Sequence, residues 1–221
     1  MKASPRPRVK VCCISSLEEA ELAIRYGASA LGLVSAMPSG PGVIEEDLIA
    51  EIAARTPPPI ATFLLTSLQD ADSIIERQRR LRTNTLQLVD RLERGSYDDL
   101  RRALPGVSIV QVIHVNGEES IEEAVAVAPQ VDAILLDSGN QKLAVKELGG
   151  TGRTHDWTIS RRIREAIGVP IFLAGGLNAG NVAEAVEQVG PFGLDICSGV
   201  RTGGRLDETK LRSFFGYARG T

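Results

Sequence analysis

Short aliphatic runs alternate with longer amphipathic stretches along almost the whole chain. The aliphatic runs begin near Val9, Ser29, Ile60, Thr85, Ser108, Val131, Pro170 and Gly193. Each is rich in Val, Ile and Leu and too short for a helix, so each predicts a strand buried on both faces. Between them, apolar residues recur at helical spacing over 17–26, 45–54, 71–80, 121–128, 158–166 and 182–189. Ser16 with Glu19, Ser120 with Glu123, and Asn178 ahead of an alanine-rich run mark helix starts. Strands alternating with helices predict a parallel sheet covered by helices. Eight such units across 8–221 fit one α/β domain, a closed (β/α)8 TIM barrel of eight parallel strands. Residues 1–7 are short, polar and proline-rich, and read as a disordered N-terminal tail.

Composition narrows the class. Aromatic residues make up only 4% of the 221, so the core must be aliphatic, as buried parallel strands require. The net charge of −3 gives no electrostatic reason to expect nucleic acid or an anionic membrane as partner. No apolar run approaches the ~18 residues of a membrane span. Cys12, Cys13 and Cys197 form no CxxC pair, which argues against a zinc knuckle or a disulfide framework and for a reducing, cytoplasmic setting. His114 and His155 lack metal-ligand spacing, so no metal is expected.

Candidate chemistry falls at the ends of the strands, where barrel active sites form. Gly175 and Gly176 follow the seventh strand, and Ser198 and Gly199 follow the eighth. Small residues at both places let backbone N–H groups approach a ligand, and barrels commonly bind phosphate there. Asp137 closes the sixth strand. Partial burial there would raise its pKa and make it a proton donor, the plainer alternative being a loop-stabilising carboxylate. Cys12 ends the first strand and can act as a base if its thiolate is stabilised, the plainer alternative being a small core residue. Cys13 and Cys197 read as such core residues, His114 as packed within its strand, and His155 as a solvated loop residue. The Arg-rich runs 77–82 and 161–164 read as solvated helix faces. The stretch 138–156 is the longest irregular connection. Its Gly149-Gly150-Thr151-Gly152-Arg153-Thr154 lacks the glycine spacing and lysine of a nucleotide loop, and reads instead as a flexible loop over the site.

The ordered set of motifs resembles the phosphoribosylanthranilate isomerases of tryptophan biosynthesis. Lys10-Val11-Cys12-Cys13-Ile14-Ser15 stands for the family's Lys-Ile-Cys-Gly-Ile-Thr, and Ala30-Leu31-Gly32-Leu33 for its Ala-Leu-Gly strand. Gln87 matches the glutamine of strand four, and Leu135-Leu136-Asp137-Ser138 the Asp motif. The run from Gly149 to Trp157 matches Gly-Gly-Thr-Gly-Lys-Thr-Phe-Asp-Trp. Ala174-Gly175-Gly176-Leu177-Asn178 and Asp195-Ile196-Cys197-Ser198-Gly199-Val200 match the phosphate loops.

The resemblance implies an Amadori rearrangement without cofactor or metal, by a monomer or homodimer acting on a small phosphorylated sugar-amine. Asp137 would be the general acid and Cys12 the general base. Gln87, Gly150, Arg153 and Asp195 would contact substrate. Four positions depart from the family pattern. Cys13 replaces a glycine, Gly42 stands where an arginine is expected to meet the substrate carboxylate or help position the substrate, Val89 replaces a histidine and Arg201 an acidic residue. Arg153 or Arg201 would have to compensate for Gly42. The departures leave open a diverged isomerase for another phosphorylated aminosugar, or a non-catalytic phosphate-binding paralogue.

Overall fold

A computed structural model describes residues 7–139 and 154–218. The eight strands are β1 (Arg8–Val11), β2 (Ala30–Val34), β3 (Ala61–Thr66), β4 (Thr85–Leu88), β5 (Ser108–His114), β6 (Ala133–Asp137), β7 (Ile171–Leu173) and β8 (Gly193–Ile196). They pair in parallel in chain order, and β8 closes on β1 with Lys10 opposite Asp195. The helices are α1 (Leu17–Tyr26), α2 (Glu46–Arg55), α3 (Ala71–Leu81), α4 (Tyr97–Ala103), α5 (Glu119–Val127), α6 (Trp157–Ala166), α7 (Val182–Val189) and α8 (Glu208–Ala218). The (β/α)8 barrel is as the alternation predicts. Among the described residues no helix is long and apolar enough to cross a membrane.

Two faces of each strand serve two cores, because successive side chains point to opposite sides. Outward residues such as Leu31, Leu33, Leu64, Ile134 and Leu194 join the helices in one large aliphatic core. Inward residues such as Phe63, Leu65, Val112, Leu135 and Phe172 fill the barrel. Phe63, Phe172 and Phe192 meet edge to face, with ring centroids 5.8 and 5.7 Å apart, and form an aromatic layer inside. The Lys10 ammonium lies 5.3 Å from the Phe63 ring centroid, within cation–π range.

Helix starts follow the predicted signals only in part. The Ser16 hydroxyl accepts the Glu19 N–H as a cap should. Ser120 instead lies inside α5 and donates to the His114 carbonyl, since the helix begins a residue earlier and buries it. Asn178 closes a turn on Gly180, and α7 begins only after Asn181. The helix α4 has a single buried residue, Leu100, too little apolar pattern to stand out. A capping box between Ser96 and Asp99 sets its start.

Candidate active site

Cys12 and Asp137 line one cleft at the C-terminal ends of the strands, together with Gln87, Gly175, Gly176, Asp195 and Ser198. Its space is about 680 Å³ with the open mouth included. Period two puts this chemistry on the inward side. Lys10 and Cys12 share one face of the first strand, as do Gln87 and Val89 of the fourth, Leu135 and Asp137 of the sixth, and Asp195 and Cys197 of the eighth.

Asp137 is 8% exposed. Burial pushes its carboxyl up from the ordinary range, and the Asp195 charge adds to this. The His114 and Lys10 charges and the Ser138 N–H, which donates to Oδ1 at 2.7 Å, oppose it without cancelling it. Asp137 therefore carries a proton to higher pH than a solvated carboxyl does, as a general acid requires.

Beneath Cys12 lies a charge pair absent from the sequence expectations. Lys10 is fully buried, and its Nζ donates to Asp195 Oδ1 at 2.8 Å. Burial alone would lower the ammonium's pKa, but the charges and hydrogen bonds of Asp195 and Cys12 outweigh it and raise it. Gly32 makes the contact possible. A Cβ there would stand 2.7 Å from Cys12 Sγ and 3.0 Å from Lys10 Nζ. The signal for Lys10 was present in the sequence: a lysine inside an apolar run, two residues before the candidate base and so on its face.

Gln87 is 3% exposed, and its Oε1 has no hydrogen-bond partner among the described residues. Leaving a buried acceptor unpaired costs roughly 1–3 kcal/mol, a cost that a ligand in the cleft would relieve. The turn after β7 carries Gly175 and Gly176, and a single 3-10 turn, Ser198–Val200, follows β8. The two turns touch backbone to backbone, since a Cβ on Gly199 would fall 2.0 Å from the Leu177 carbonyl oxygen. Gly150 and Arg153 lie outside the described residues.

The departures from the family pattern also find places. Gly42 lies against Cys13, with no room for a side chain. Val89 is buried and lines the cleft. The Arg201 guanidinium pairs with Glu19 at 2.9 Å and donates to the Cys12, Cys13 and Gly204 carbonyls. It braces the loop after the first strand from below. The Glu19 carboxyl, which burial would raise, is held down by Arg201 and by the Leu206 and Ser15 N–H groups.

His114 packs as expected, its Nε2–H donating to the Val89 carbonyl at 3.1 Å. His155 differs from its solvated expectation. It is half-buried, with Nε2 2.7 Å from Ser160 Oγ, and burial lowers its pKa to about 4 against the pull of Asp156. Cys13 is buried in the inner core as expected, and Cys197 packs against that core. They line the cleft with their Sγ atoms 2.8 Å apart. The hydrogen bond with Cys13 and the nearby Arg201 charge hold the Cys197 thiol below the usual range against burial. Hydrogen bonds to Cys12 and Cys197, together with burial, push Cys13 up. Of the Arg-rich runs, Arg77 is largely buried against Glu46 at 3.0 Å, while Arg80 and Arg161 are exposed and ion-paired.

Fold and cleft together place the chain among (β/α)8-barrel enzymes that work at the C-terminal rim. The family model described as N-(5'phosphoribosyl)anthranilate (PRA) isomerase matches residues 9–216, and the chain belongs to that family. It is 36% identical over 214 residues to N-(5'-phosphoribosyl)anthranilate isomerase 2 of Methanosarcina mazei, covering 96% of this chain and 94% of that protein. It is 33% identical over 215 residues to the Methanocella arvoryzae isomerase, covering 97% of this chain and 99% of that one. Among solved structures, the Thermotoga maritima phosphoribosyl anthranilate isomerase superposes with a TM-score of 0.81 at 27% identity, over 97% of this chain and 100% of that one. A phosphoribosyl anthranilate isomerase in complex with reduced 1-(o-carboxyphenylamino)-1-deoxyribulose 5-phosphate gives a TM-score of 0.79 at 25% identity, with the same coverage. The chain is an isomerase of this family.

Proposed function

We propose that the chain converts N-(5'-phosphoribosyl)anthranilate to the carboxyphenylamino-deoxyribulose phosphate by general acid–base catalysis. The observation that carries this reading is that Cys12 and Asp137 face one cleft whose rim is the pair of small-residue turns after β7 and β8. The substrate phosphate sits against the backbone N–H groups of Gly175, Gly176, Ser198 and Gly199. This seats the ribose between the first and sixth strands.

The protonated Asp137 gives its proton to the ribose ring oxygen. The bond from that oxygen to C1 breaks, and the amine lone pair forms a protonated Schiff base. Cys12, as thiolate, then takes the proton from C2. The electron pair moves to the C1–C2 bond and neutralises the nitrogen. The resulting enolamine tautomerises to the ketone. Lys10 supplies positive charge beside the thiolate, and Asp195 holds Lys10 in place. Each proton transfer contributes roughly 10²–10⁴-fold. Gln87 Oε1 accepts from a substrate hydroxyl.

One observation favours a second reading. Gly42, at the position of the family arginine, is packed against Cys13, and Arg201 is committed to Glu19 and the Cys12–Cys13 carbonyls. Neither offers a guanidinium to an aromatic carboxylate, so a phosphorylated aminosugar without that carboxylate is the alternative substrate.

The test is a fluorescence assay with phosphoribosylanthranilate generated in place, Cys12→Ala run beside the wild type. Loss of substrate fluorescence that depends on Cys12 supports the first reading. Turnover only of an analogue lacking the carboxylate moves the assignment to the second.

A further inference from the structure

Three thiols crowd one side of the cleft mouth, and the reaction uses only one of them. Cys13 directly follows the base Cys12, and Cys197 directly precedes the phosphate-turn residue Ser198. All three are free thiols. The Sγ atoms of Cys13 and Cys197 stand 2.8 Å apart, against about 2.05 Å in a disulfide. Cys197 is only partly buried and faces the open cleft, so a small reagent can reach it.

The backbone bears a cost to hold Cys13 there. Its φ is +60°, the left-handed region that a side chain disfavours. Strain of this kind persists where the surroundings over-determine it, and it gathers at functional sites. Gly42, itself at φ +82°, leaves the space that the Cys13 side chain fills.

We propose that Cys13 and Cys197 form an oxidisable dithiol whose disulfide, made by exchange with a small-molecule disulfide, reversibly shuts down the cleft. The inactivation half of this proposal rests on the catalytic reading of Cys12 and the phosphate turns. The dithiol half does not.

The exchange runs in two steps. The Cys197 thiolate attacks one sulfur of the reagent, whose S–S bond breaks, and the departing thiolate takes a proton from solvent. Cys13 gives its proton to solvent and attacks Cys197 Sγ, releasing the second reagent thiol. Two protein thiols are oxidised, and one disulfide is reduced to two thiols. Arg201 stands beside the pair and favours the thiolate at Cys197. The new bond would tie the loop after β1 to the loop after β8. It would pull the residue next to the base toward the residue next to the phosphate turn. Disulfides of intracellular proteins are usually transient and redox-sensing.

The test treats the full chain with glutathione disulfide, then follows intact mass, tryptic peptides and turnover before and after dithiothreitol. The expected result is a loss of two hydrogens and a cross-link between peptides 11–25 and 165–201. The cross-link should persist in Cys12→Ala and vanish in Cys13→Ala and in Cys197→Ala. Turnover should fall about a hundredfold, the scale of a 1 Å misplacement, and return with dithiothreitol. No cross-link in the wild type overturns the proposal. So does a cross-link that survives in Cys13→Ala, or a loss of activity that tracks a glutathione adduct on Cys12. A cross-link in a protein that turns over no phosphoribosylanthranilate when reduced would sink the substrate assignment and leave the dithiol standing.

Discussion

Lys10 and Asp195, 185 residues apart, form an ion pair at 2.8 Å inside the barrel, on neighbouring strands that close the sheet. Lys10 is completely buried, so the pair is largely out of water. Removing one partner strands the other charge, which costs about 3–5 kcal/mol. We expect Lys10→Met to lower the melting temperature by roughly 10 °C, at about 2–4 °C per kcal/mol for a chain this size. Adding Asp195→Leu should recover most of the loss, because an apolar pair needs no compensation. Calorimetry on the single and double variants decides this. A single variant that melts with the wild type would show that the pair adds nothing.

Gly42 and Cys13 share one space. A Cβ on Gly42 would fall 2.4 Å from the Cys13 Cβ, and its φ of +82° disfavours any side chain. Gly42→Ala should therefore destabilise by more than the roughly 1–2 kcal/mol of a left-handed residue alone. In a Cys13→Gly background the steric part should disappear. The non-additivity, on the order of 0.5–3 kcal/mol for residues in contact, is readable from urea midpoints. Additive effects would mean that the loop moves aside.

Asp137 is expected to work as the protonated acid. Its raised pKa keeps it protonated above the usual carboxyl range, so kcat should fall as pH rises through that raised value. Asp137→Asn should lower kcat/KM by about 10²–10⁴-fold and lose that limb of the profile. Folding follows the same sign. The folded chain holds a proton that the unfolded chain has already lost, so Asp137 makes stability fall as pH rises between the two pKa values. An Asn variant with the wild-type pH profile would remove Asp137 from the proton transfer.

His155 carries an acid dependence of stability. Its pKa falls from 6.5 to about 4 on burial. As pH drops from 6.5 toward about 4, the unfolded chain takes up a proton that the folded chain refuses, so stability declines across this window. Below it both states are protonated and the slope ends. His155→Gln should flatten that slope in urea titrations at stepped pH, while an unchanged slope would assign it to other groups.

Local pattern determined a great deal about this protein. Eight aliphatic runs became eight strands, because a strand buried on both faces is mostly apolar. Helices 17–26 and 182–189 match the structure residue for residue. Cys12, Asp137 and the glycine turns were legible as strand-end residues, since a barrel has one working rim. What periodicity reports is the face a side chain takes, and it says nothing of its neighbour across the sheet. The contacts of Lys10 with Asp195, Cys13 with Cys197 and Arg201 with Glu19 each span more than 180 residues. They exist only because β8 closes on β1. That closure brought two cysteines of the inner core together at the cleft, and made an arginine considered for the substrate a brace for the first loop. Ser120 and Asn178 failed as caps for a related reason. A capping residue is recognised by its neighbours in sequence, whereas burial and a competing turn are decided by what packs against it.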